Sequence, residues 1–343
     1  MKKVILKRIV SIPIILFVLS IMIFSLVLFL SPSERVAVFV SSSDAMQNVS
    51  LDELIKRYGL DQPFYVQYKN WLQGILTGKL GWSNSAGMPI SEALALRIPA
   101  TIELLLTGQL IVFFGGIFLG TIAAREHNRF SDHFIRISTT IGISLPEFVV
   151  SLFLLILFYV RFDLFPPGRL GLAATDVVYS DSFFNYTGLH LFDALLNNRF
   201  DVFADALRHL VLPSIAYSLG GLAATVRLMR SSLLENLSKG YVDTARIKGL
   251  SDKAVLNKHV RRNAMLPLIT FTGMRVPVLL SGSVVVETIF DYPGMGLFIV
   301  TAAQGLDFPA IIAASLAVSI IIIISNLAVD VLYTILNPVI RLG

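Results

Sequence analysis

The sequence predicts an all-α membrane protein that crosses the lipid bilayer six times. Its 343 residues are 55% hydrophobic and only 15% charged, whereas a soluble domain carries roughly 25% charged residues. The mean hydropathy is +0.74. Apolar segments recur along the chain, and each is close to the length of about 20 residues that a helix needs to cross ~30 Å of hydrocarbon. Much of the surface is therefore expected to face lipid.

The first apolar segment, residues 9–30, follows the basic residues Lys2, Lys3, Lys7 and Arg8. It looks like the start of a secretory signal peptide, but the apolar part of such a peptide has only ~7–15 residues. This segment has 22 residues, and no clear small-x-small cleavage site follows it. We therefore expect residues 1–30 to form a cytoplasmic tail and a retained first span.

Five further apolar segments are long enough to span, and a helix satisfies all its backbone polar groups within lipid. The fourth span is the weakest because it is rich in small residues around Gly220 and Gly221, which suit close packing of helices in a membrane. Residues 31–98 are expected to form an extracytoplasmic loop, and residues 99–343 the main transmembrane domain. The predicted spans after the first are residues 102–124, 137–160, 209–228, 265–286 and 310–335.

The basic residues predict the orientation. If the N-terminus is cytoplasmic, the short inner segments (residues 1–8, 125–136, about 227–264 and the last few residues) hold 17 of the 28 Lys and Arg residues. The outer segments, residues 31–98, 161–208 and 288–308, are about twice as long and hold ten. Because cytoplasmic loops carry the excess of Lys and Arg, both termini are expected in the cytoplasm.

The outer loops are too long to be simple connections. Residues 51–76 are amphipathic, with Tyr65, Tyr68, Trp71 and Leu72 at helical spacing, and residues 161–208 carry six Asp against four Arg. One interpretation is that these loops pack on the membrane helices. The other is that they form a docking surface for a soluble partner, and both stay open.

The cytoplasmic loop, residues 229–264, has the pattern of two helices joined by a glycine turn. Apolar or small residues recur every four positions from Leu233 to Ala245, and Glu235 and Lys239 stand at i,i+4 spacing. Gly249 suits a helix C-terminus, and Ser251 suits the N-cap of a second short helix. A structured loop of this size indicates that a partner acts on it from the cytoplasm.

A fixed set of residues makes this loop recognisable: Tyr241, Val242, Thr244, Ala245, Arg246, Lys248, Gly249 and Leu250, then His259, Arg262, Asn263, Ala264 and Pro267. The pattern resembles the coupling-helix motif of ABC importer permeases of the dipeptide, oligopeptide and nickel branch. The resemblance is to the longer, B-type permease subunit and extends along the whole chain. Further matching residues are Pro99, Thr101, Glu103, Pro146, Phe165, Pro166, Glu287, Pro293, Gly294, Gly296 and Asp307.

Three positions depart from the family pattern. The family's Pro-Gly-Asp stretch after the first helix is replaced by Ser31-Pro32-Ser33-Glu34, and its terminal Asp-Pro-Arg stands as Asn337-Pro338-Val339. Arg275 interrupts the fifth span, where an uncharged residue is expected. These departures weaken any inference about the substrate.

The resemblance implies a type I ABC importer fold and a permease subunit that imports di- or oligopeptides; nickel chelates, glutathione or oligosaccharides are the alternatives. The expected partners are a second homologous permease, two ATPase subunits, an extracytoplasmic binding protein and membrane lipid, but no nucleic acid. The expected location is the bacterial or archaeal cytoplasmic membrane. The residues expected to couple to the ATPase are Glu235, Tyr241, Asp243, Thr244, Ala245, Arg246, Lys248, Gly249, Leu250, His259, Arg262 and Asn263.

The chain itself is expected to carry no catalytic chemistry. It has no G-x-x-x-x-G-K-[ST] phosphate-binding loop, so ATP and Mg²⁺ are expected on the ATPase subunits. It has no cysteine, which excludes thiolate zinc sites, iron–sulfur clusters and disulfides. His127, His133 and His190 stand apart from one another and indicate no metal site. An intramembrane enzyme is disfavoured because neither H-E-x-x-H nor G-x-S-x-G occurs.

Glu147 and Arg275 are candidates for the translocation path. Each stands about ten residues from the cytoplasmic end of its predicted span, which places it ~15 Å deep in a straight helix. Ionisable groups at that depth are costly and mark a functional site by default. The two residues either pair with each other or line the path. A secondary transporter would account for six spans equally well, but not for the loop of residues 229–264.

Overall fold

The structure is a computed structural model that describes residues 2–39 and 50–336. Within these ranges, side chains are described except those of residues 2–10, 32, 33, 37, 51, 274–282, 328 and 330–336. The described chain is built almost entirely of helices, and two short antiparallel strands form a hairpin.

The N-terminal part consists of one long apolar helix, three shorter helices and the hairpin. The third helix begins after Ser50, whose hydroxyl accepts a hydrogen bond from the Glu53 amide at 3.3 Å, and it ends at Gly59 in a left-handed conformation with φ of +65°. The amphipathic stretch of residues 51–76 is therefore two helices. The elements are α1 (Lys2–Val27), α2 (Pro32–Phe39), α3 (Leu51–Tyr58), α4 (Phe64–Leu76), β1 (Trp82–Ser83) and β2 (Met88–Pro89).

Helix α4 packs along α1 through aromatic side chains. The ring of Phe24 lies 5.0 Å from that of Trp71 and 5.6 Å from that of Tyr68, measured between centroids. The Tyr68 hydroxyl hydrogen-bonds with the Ser20 hydroxyl at 2.7 Å. Leu72 joins the same cluster, whereas Tyr65 is 71% exposed. Of the four residues named in this outer segment, Tyr68, Trp71 and Leu72 therefore pack on the membrane helix, which confirms the packing interpretation for them.

The rest of the chain forms the helical body. Helix α5 contains one π-helical turn at Ile111–Gly115, and α7 ends in another at Leu155–Arg161. The helices are α5 (Ile90–Arg125), α6 (Phe130–Ser144), α7 (Glu147–Arg161), α8 (Leu172–Val178), α9 (His190–Leu196), α10 (Phe200–Leu237), α11 (Gly240–Ile247), α12 (Arg261–Ile289), α13 (Met295–Gln304) and α14 (Phe308–Leu336).

Three described helices are long and apolar enough to cross a membrane: α5, α10 and the Phe308–Leu327 part of α14. The bent pair α6–α7 makes a fourth if it counts as one span. Predicted spans 102–124, 137–160, 209–228 and 310–335 lie within these helices. The first predicted span contains the shorter apolar helix Ser11–Val27, and residues 265–286 lie within α12, part of whose side chains is not described. The count of six spans stays a prediction.

Helix α10 lies at the centre and packs against α5 and α12. The close approach to α5 depends on glycine: a Cβ added at Gly120 would lie 2.6 Å from the Met229 Cβ and 2.9 Å from the Val226 carbonyl oxygen. Gly116, one turn earlier, faces Thr225 in the same way. The close packing is thus made by the glycines of α5 and not by Gly220 of the fourth span, as no described atom lies within 4 Å of a Cβ added there.

The third predicted span is broken. Helices α6 and α7 meet at an angle of 107°, because Leu145 and Pro146 have extended ψ values of 134° and 138°. Proline lacks an amide hydrogen and disfavours the helical conformation in the residue before it. Pro146 therefore marks a full break between the two helices. The depth of ~15 Å for Glu147 assumed one straight helix, whereas the helix axis turns just before that residue; the depth stays a prediction.

Candidate functional site

The loop of residues 229–264 contains the end of α10, the short helix α11 and the helical segments Asp252–Ala254 and Val255–Val260. These segments continue directly into α12, so the predicted second helix is the beginning of that long helix. Helix α10 ends at Leu237, and α11 starts three residues later. Gly249 follows α11 with φ of +81°, a conformation that glycine adopts without steric cost. The Ser251 hydroxyl then accepts a hydrogen bond from the Ala254 amide at 3.4 Å. The predicted helix, glycine turn and N-cap are confirmed, with an additional break after Leu237.

One face of α11 is buried in an apolar cluster to which three long helices also contribute. Val242 is fully buried and Ala245 is 6% exposed. Protein interiors are close-packed and transmit displacement through contacts of this kind, so a shift of α11 moves the helices it touches. The same apolar cluster contains residues of α5, α10 and α12, namely Ile117, Ala124, Met229, Leu233, Ala264 and Leu268.

The opposite face of α11 is exposed and combines apolar and charged groups. Ile247 is 86% exposed and Leu250 is 39% exposed. Sequence reasoning did not include Ile247, because it stands between Arg246 and Lys248 at a position that the family motif leaves unspecified. The other predicted residues on this face are Asp243, Thr244, Arg246, Lys248 and Gly249, all of them exposed.

Two exposed ion pairs connect neighbouring turns of the loop. Lys239 Nζ lies 3.1 Å from Glu235 Oε1, which confirms the predicted pair. Arg246 Nε lies 3.1 Å from Asp252 Oδ1, so this pair bridges the glycine turn. Exposed pairs of this type contribute only ~0–1 kcal/mol each. Arg246 was expected to contact a partner, and in the structure it joins α11 to the next helical turn.

The remaining predicted loop residues lie at the two junctions. The Tyr241 hydroxyl donates a hydrogen bond to Asn236 Oδ1 at 3.2 Å, across the break between α10 and α11. His259 is half-buried in the π-helical turn Val255–Val260. Arg262 and Asn263 are exposed at the start of α12. The loop therefore has an exposed side, and its other side is packed in the apolar cluster that contains Val242 and Ala245.

The structure describes the side chain of Glu147 but not that of Arg275, the other candidate path residue. Glu147 is half-buried at the first position of α7, directly after the 107° break. No described residue hydrogen-bonds its carboxylate. Arg275 lies within α12, but its side chain is outside the described residues. Helix α7 contacts α12, and whether the two side chains pair stays a prediction.

A buried ion pair that sequence reasoning missed ties α6 to α10. Asp132 is fully buried, and Arg230 donates to both of its oxygens at 2.7 Å. Arg230 also donates to His127 Nδ1 at 2.9 Å, and the Asn128 amide donates to Asp132 Oδ2 at 3.0 Å. This pair, together with the apolar contact of Ile135 with Val226, joins the first half of the broken span to the helix that leads into α11.

A second missed network lies at the other end of α10 from the loop. Glu103 is 4% exposed, and Arg169 donates to its Oε2 through Nε at 3.1 Å and Nη2 at 2.8 Å. The Leu191 amide donates to Glu103 Oε1 at 2.7 Å, and the Tyr292 hydroxyl lies 3.3 Å from Oε2. Glu103 was noted only as part of the family pattern, and Arg169 carried no signal in the sequence.

Glu287, also part of the family pattern, organises the adjoining turn. Its Oε1 accepts a hydrogen bond from the Thr101 hydroxyl at 2.7 Å. Its Oε2 accepts from the amides of Gly296 and Leu297 at 2.6 and 3.0 Å. These amides belong to the first turn of α13, where a carboxylate is favoured by the helix dipole. Glu287 therefore joins α12, α5 and α13.

Comparison with known proteins identifies the family. Residues 116–342 match the family described as "Binding-protein-dependent transport system inner membrane component". Residues 1–105 match the description "Binding-prot-dependent transport system membrane comp, N-term". The chain belongs to the binding-protein-dependent transport system inner membrane component family. It is therefore a membrane component of a transport system, and a membrane location follows.

Relatives in this family cover most of the chain. It is 37% identical over 303 residues to the probable D,D-dipeptide transport system permease protein DdpB of Escherichia coli K12, with 88% of this chain and 87% of that protein covered. It is 37% identical over 290 residues to the dipeptide transport system permease protein DppB of the same strain, with 84% of each covered. It is 33% identical over 288 residues to the oligopeptide transport system permease protein AppB of Bacillus subtilis 168, again with 84% of each covered.

Proposed function

We propose that this chain is the permease subunit of an ATP-binding-cassette importer for di- or oligopeptides. The proposal is supported by the relatives, which are named as permeases of D,D-dipeptide, dipeptide and oligopeptide transport systems. It is carried by one structural observation, the two-sided helix α11. Its inner face, Val242 and Ala245, lies in an apolar cluster with residues of three long helices, and its outer face is exposed and can meet another protein.

The outer face of α11 fits a groove with an apolar floor and an acidic rim. Ile247 and Leu250 supply apolar contacts, and Lys248, Lys253 and Lys258 are exposed cations nearby. Removing an exposed Ile side chain from water contributes ~1.5–3 kcal/mol, and the cations guide the approach of an acidic surface. A closing motion of an ATPase subunit in this position would push α11 and, through it, α5, α10 and α12.

The complete transporter contains this chain, a second homologous permease, two ATPase subunits that bind ATP and Mg²⁺, and an extracytoplasmic binding protein. The chain crosses the bacterial or archaeal cytoplasmic membrane six times, with both termini and the loop of residues 229–264 inside. The absence of native cysteine makes the topology testable. We expect Lys248→Cys to react with an impermeant maleimide only from the cytoplasmic side, and Lys69→Cys only from the outside.

Transport by the reconstituted complex tests the function. The four subunits are placed in proteoliposomes with ATP enclosed, and uptake of radiolabelled dialanine is measured with and without the binding protein. We expect uptake that requires both ATP and the binding protein. ATP-independent uptake would favour a secondary transporter. Stimulation of ATP hydrolysis by a nickel chelate, glutathione or an oligosaccharide, but by no peptide, would favour the corresponding alternative substrate.

The variant Ile247→Asp tests the role of α11. A charge at this exposed position removes the apolar contact without disturbing the packed face, so uptake should fall about tenfold or more if ~1.5 kcal/mol of docking energy is lost. Leu172→Asp is the matched control, because Leu172 is 88% exposed on the distant helix α8. Equal uptake by the two variants and the parent would contradict docking through Ile247.

A further inference from the structure

A cavity near one end of α1 has no part in the proposed transport cycle. It has a volume of about 380 Å³ and lies between α2, α3, α4 and the turn after α4. The side chains that matter for its chemistry are those of Arg57, Tyr58, Asn70, Trp71, Gln73 and Lys79. We call it the α3–α4 cavity. It combines cations, amide groups and aromatic rings in one concave surface.

The charge of the α3–α4 cavity is positive. Arg57 stands in the last turn of α3, and Lys79 lies just beyond α4, where its amide donates to the Gly74 carbonyl at 2.8 Å. No Asp or Glu is among the described residues that line the cavity. Within residues 2–39 and 50–336, neither cation has an ion-pair partner. The cavity therefore offers two cationic groups to an anion.

The α3–α4 cavity lies beside the ends of two apolar helices. Trp71 and Val38, which line it, belong to one apolar cluster with Val27 at the end of α1 and Ile312 near the start of α14. The Phe308–Leu327 part of α14 is long and apolar enough to cross a membrane, and α1 contains the shorter apolar helix Ser11–Val27. The ends of these two helices suit the boundary of the hydrocarbon. The nearby Leu26 and Phe29 are 60% and 87% exposed, as lipid-facing side chains are. Trp and Tyr are enriched at this boundary.

We propose that the α3–α4 cavity binds the phosphate headgroup of an anionic phospholipid. Arg and Lys pair with phosphate through charge-assisted hydrogen bonds, and basic pockets beside membrane helices bind anionic headgroups. The aromatic and apolar part of the lining accommodates the glycerol and the first methylenes of the lipid. A free phosphate would use the cations but not this apolar part, which is why the lipid is the better occupant.

A structural alternative is that Arg57 and Lys79 only complement the negative ends of the helix dipoles of α3 and α4. That role requires no ligand and no cavity. The two explanations predict different results for lipid binding. If Arg57 and Lys79 act only on their own helices, replacing them leaves lipid binding unchanged; if they bind the headgroup, replacing them weakens it.

Native mass spectrometry of the full-length chain tests the proposal. The chain is purified in its complex, exchanged into detergent with added dioleoylphosphatidylglycerol or dioleoylphosphatidylcholine, and the bound lipid is counted. We expect retention of phosphatidylglycerol over phosphatidylcholine. The double variant Arg57→Gln, Lys79→Gln should bind phosphatidylglycerol about tenfold more weakly, because each cation near an anionic lipid favours binding.

The control is the double variant Lys56→Gln, Lys69→Gln, which removes two exposed cations from the same helices but outside the cavity. It should retain phosphatidylglycerol as the parent does, and Lys79→Arg should also retain it. All these positions are exposed, so folding is checked by size-exclusion profile alone. Equal loss in both double variants would overturn the site. Displacement of the lipid by millimolar inorganic phosphate would overturn the choice of a lipid and assign the cavity to a soluble anion.

Discussion

At the scale of single residues, two buried carboxylates, Glu103 and Glu287, account for much of the polar packing at the end of α10 away from the 229–264 loop. Burying a charge is costly unless it is paired and hydrogen-bonded. Glu103 meets this condition with Arg169 and the Leu191 amide, and Glu287 meets it with Thr101 and two amides of α13. Both positions therefore depend on partners that approach closely.

Gly296 permits one of these approaches, and its replacement is the first prediction. A Cβ at this position would lie 2.6 Å from the Val284 Cα and 2.9 Å from Glu287 Oε2. Overpacking of this kind costs ~1–3 kcal/mol, so Gly296→Ala should lower the free energy of unfolding by at least that amount. Gly142→Ala is the control, because nothing lies within 4 Å of its added Cβ. Helical alanine is favoured by ~0.5–1 kcal/mol there. Denaturant unfolding in detergent compares the two, and equal stability would contradict the close contact.

The second prediction concerns His190, the first residue of α9. Burial, and then the positive charge of Arg169, lowers the pKa of His190 from 6.5 to about 3. No described residue hydrogen-bonds its Nδ1. Because the unfolded chain takes up a proton that the folded chain does not, stability is complete above pH 6.5 and falls as the pH drops toward 3.

Between pH 7 and pH 5, the parent should therefore lose about 1–2 kcal/mol more unfolding free energy than His190→Gln. Unfolding midpoints at pH 5, 6 and 7 measure the difference. His133→Gln serves as the control because His133 is exposed. A parent and a His190→Gln variant with parallel pH profiles would show that His190 stays accessible to protons.

At the scale of elements, the break between α6 and α7 is the feature that most changes the shape expected for a transmembrane span. Leu145 and Pro146 adopt extended conformations, and proline makes a regular helix costly at both residues. The two halves then contact different neighbours: α6 contacts α5, and α7 contacts α12, while both contact α10.

The third prediction is that Pro146→Ala straightens this span. Spin labels at Phe134→Cys and Phe153→Cys report the change, since both sites are at least 60% exposed and the chain has no native cysteine. A continuous helix would separate the two Cα atoms by ~28 Å, and the bend holds them closer. The distance should therefore increase, and peptide uptake should fall. Leu145→Ala, which keeps the proline, should leave the distance unchanged; an unchanged distance in Pro146→Ala would mean that tertiary contacts alone impose the bend.

Local chemistry made some elements predictable. Gly249 and Ser251 act on their own backbone, so the turn of the 229–264 loop follows from residue type and spacing. The break at Pro146 follows for the same reason, although its angle of 107° depends on packing. By contrast, Glu103 and Arg169 are 66 residues apart, and Asp132 and Arg230 are 98 apart. Neither periodicity nor charge indicates which of many ionisable residues will form a pair, so these contacts could be identified only from the structure.

At the scale of the whole molecule, the Asp132–Arg230 pair connects two bodies. Helices α5, α10 and α12 share one cluster with α11. The broken span packs on this body along both halves, through α5, α10 and α12, and the Asp132–Arg230 pair fixes its α6 end. Movement of α10 is therefore passed to the span that carries Glu147 through apolar contacts and through this ion pair.

The fourth prediction follows from this arrangement. Asp132→Ala leaves Arg230 partly buried without its carboxylate, and breaking a buried pair in this way costs ~3–5 kcal/mol. The thermal midpoint should fall, and in Asp132→Asn, which keeps the shape, the ATP hydrolysed per peptide imported should rise. Glu126→Gln removes the exposed pair with Arg129 at 2.9 Å and should change neither quantity. If Asp132→Asn hydrolyses the same amount of ATP per peptide as the parent, the pair is only structural.

The buried network around Glu103 also limits how members of this family can recombine. The two matched family regions, residues 1–105 and 116–342, adjoin inside the single helix α5. Thr101 and Glu103 stand on one side of that seam, and Glu287 and Arg169 stand on the other. In a chimaera that takes its first 105 residues from a relative, positions 101 and 103 come from the relative, and their partners Glu287 and Arg169 come from this chain. Such grafts should assemble only where the recipient supplies the matching acid and arginine.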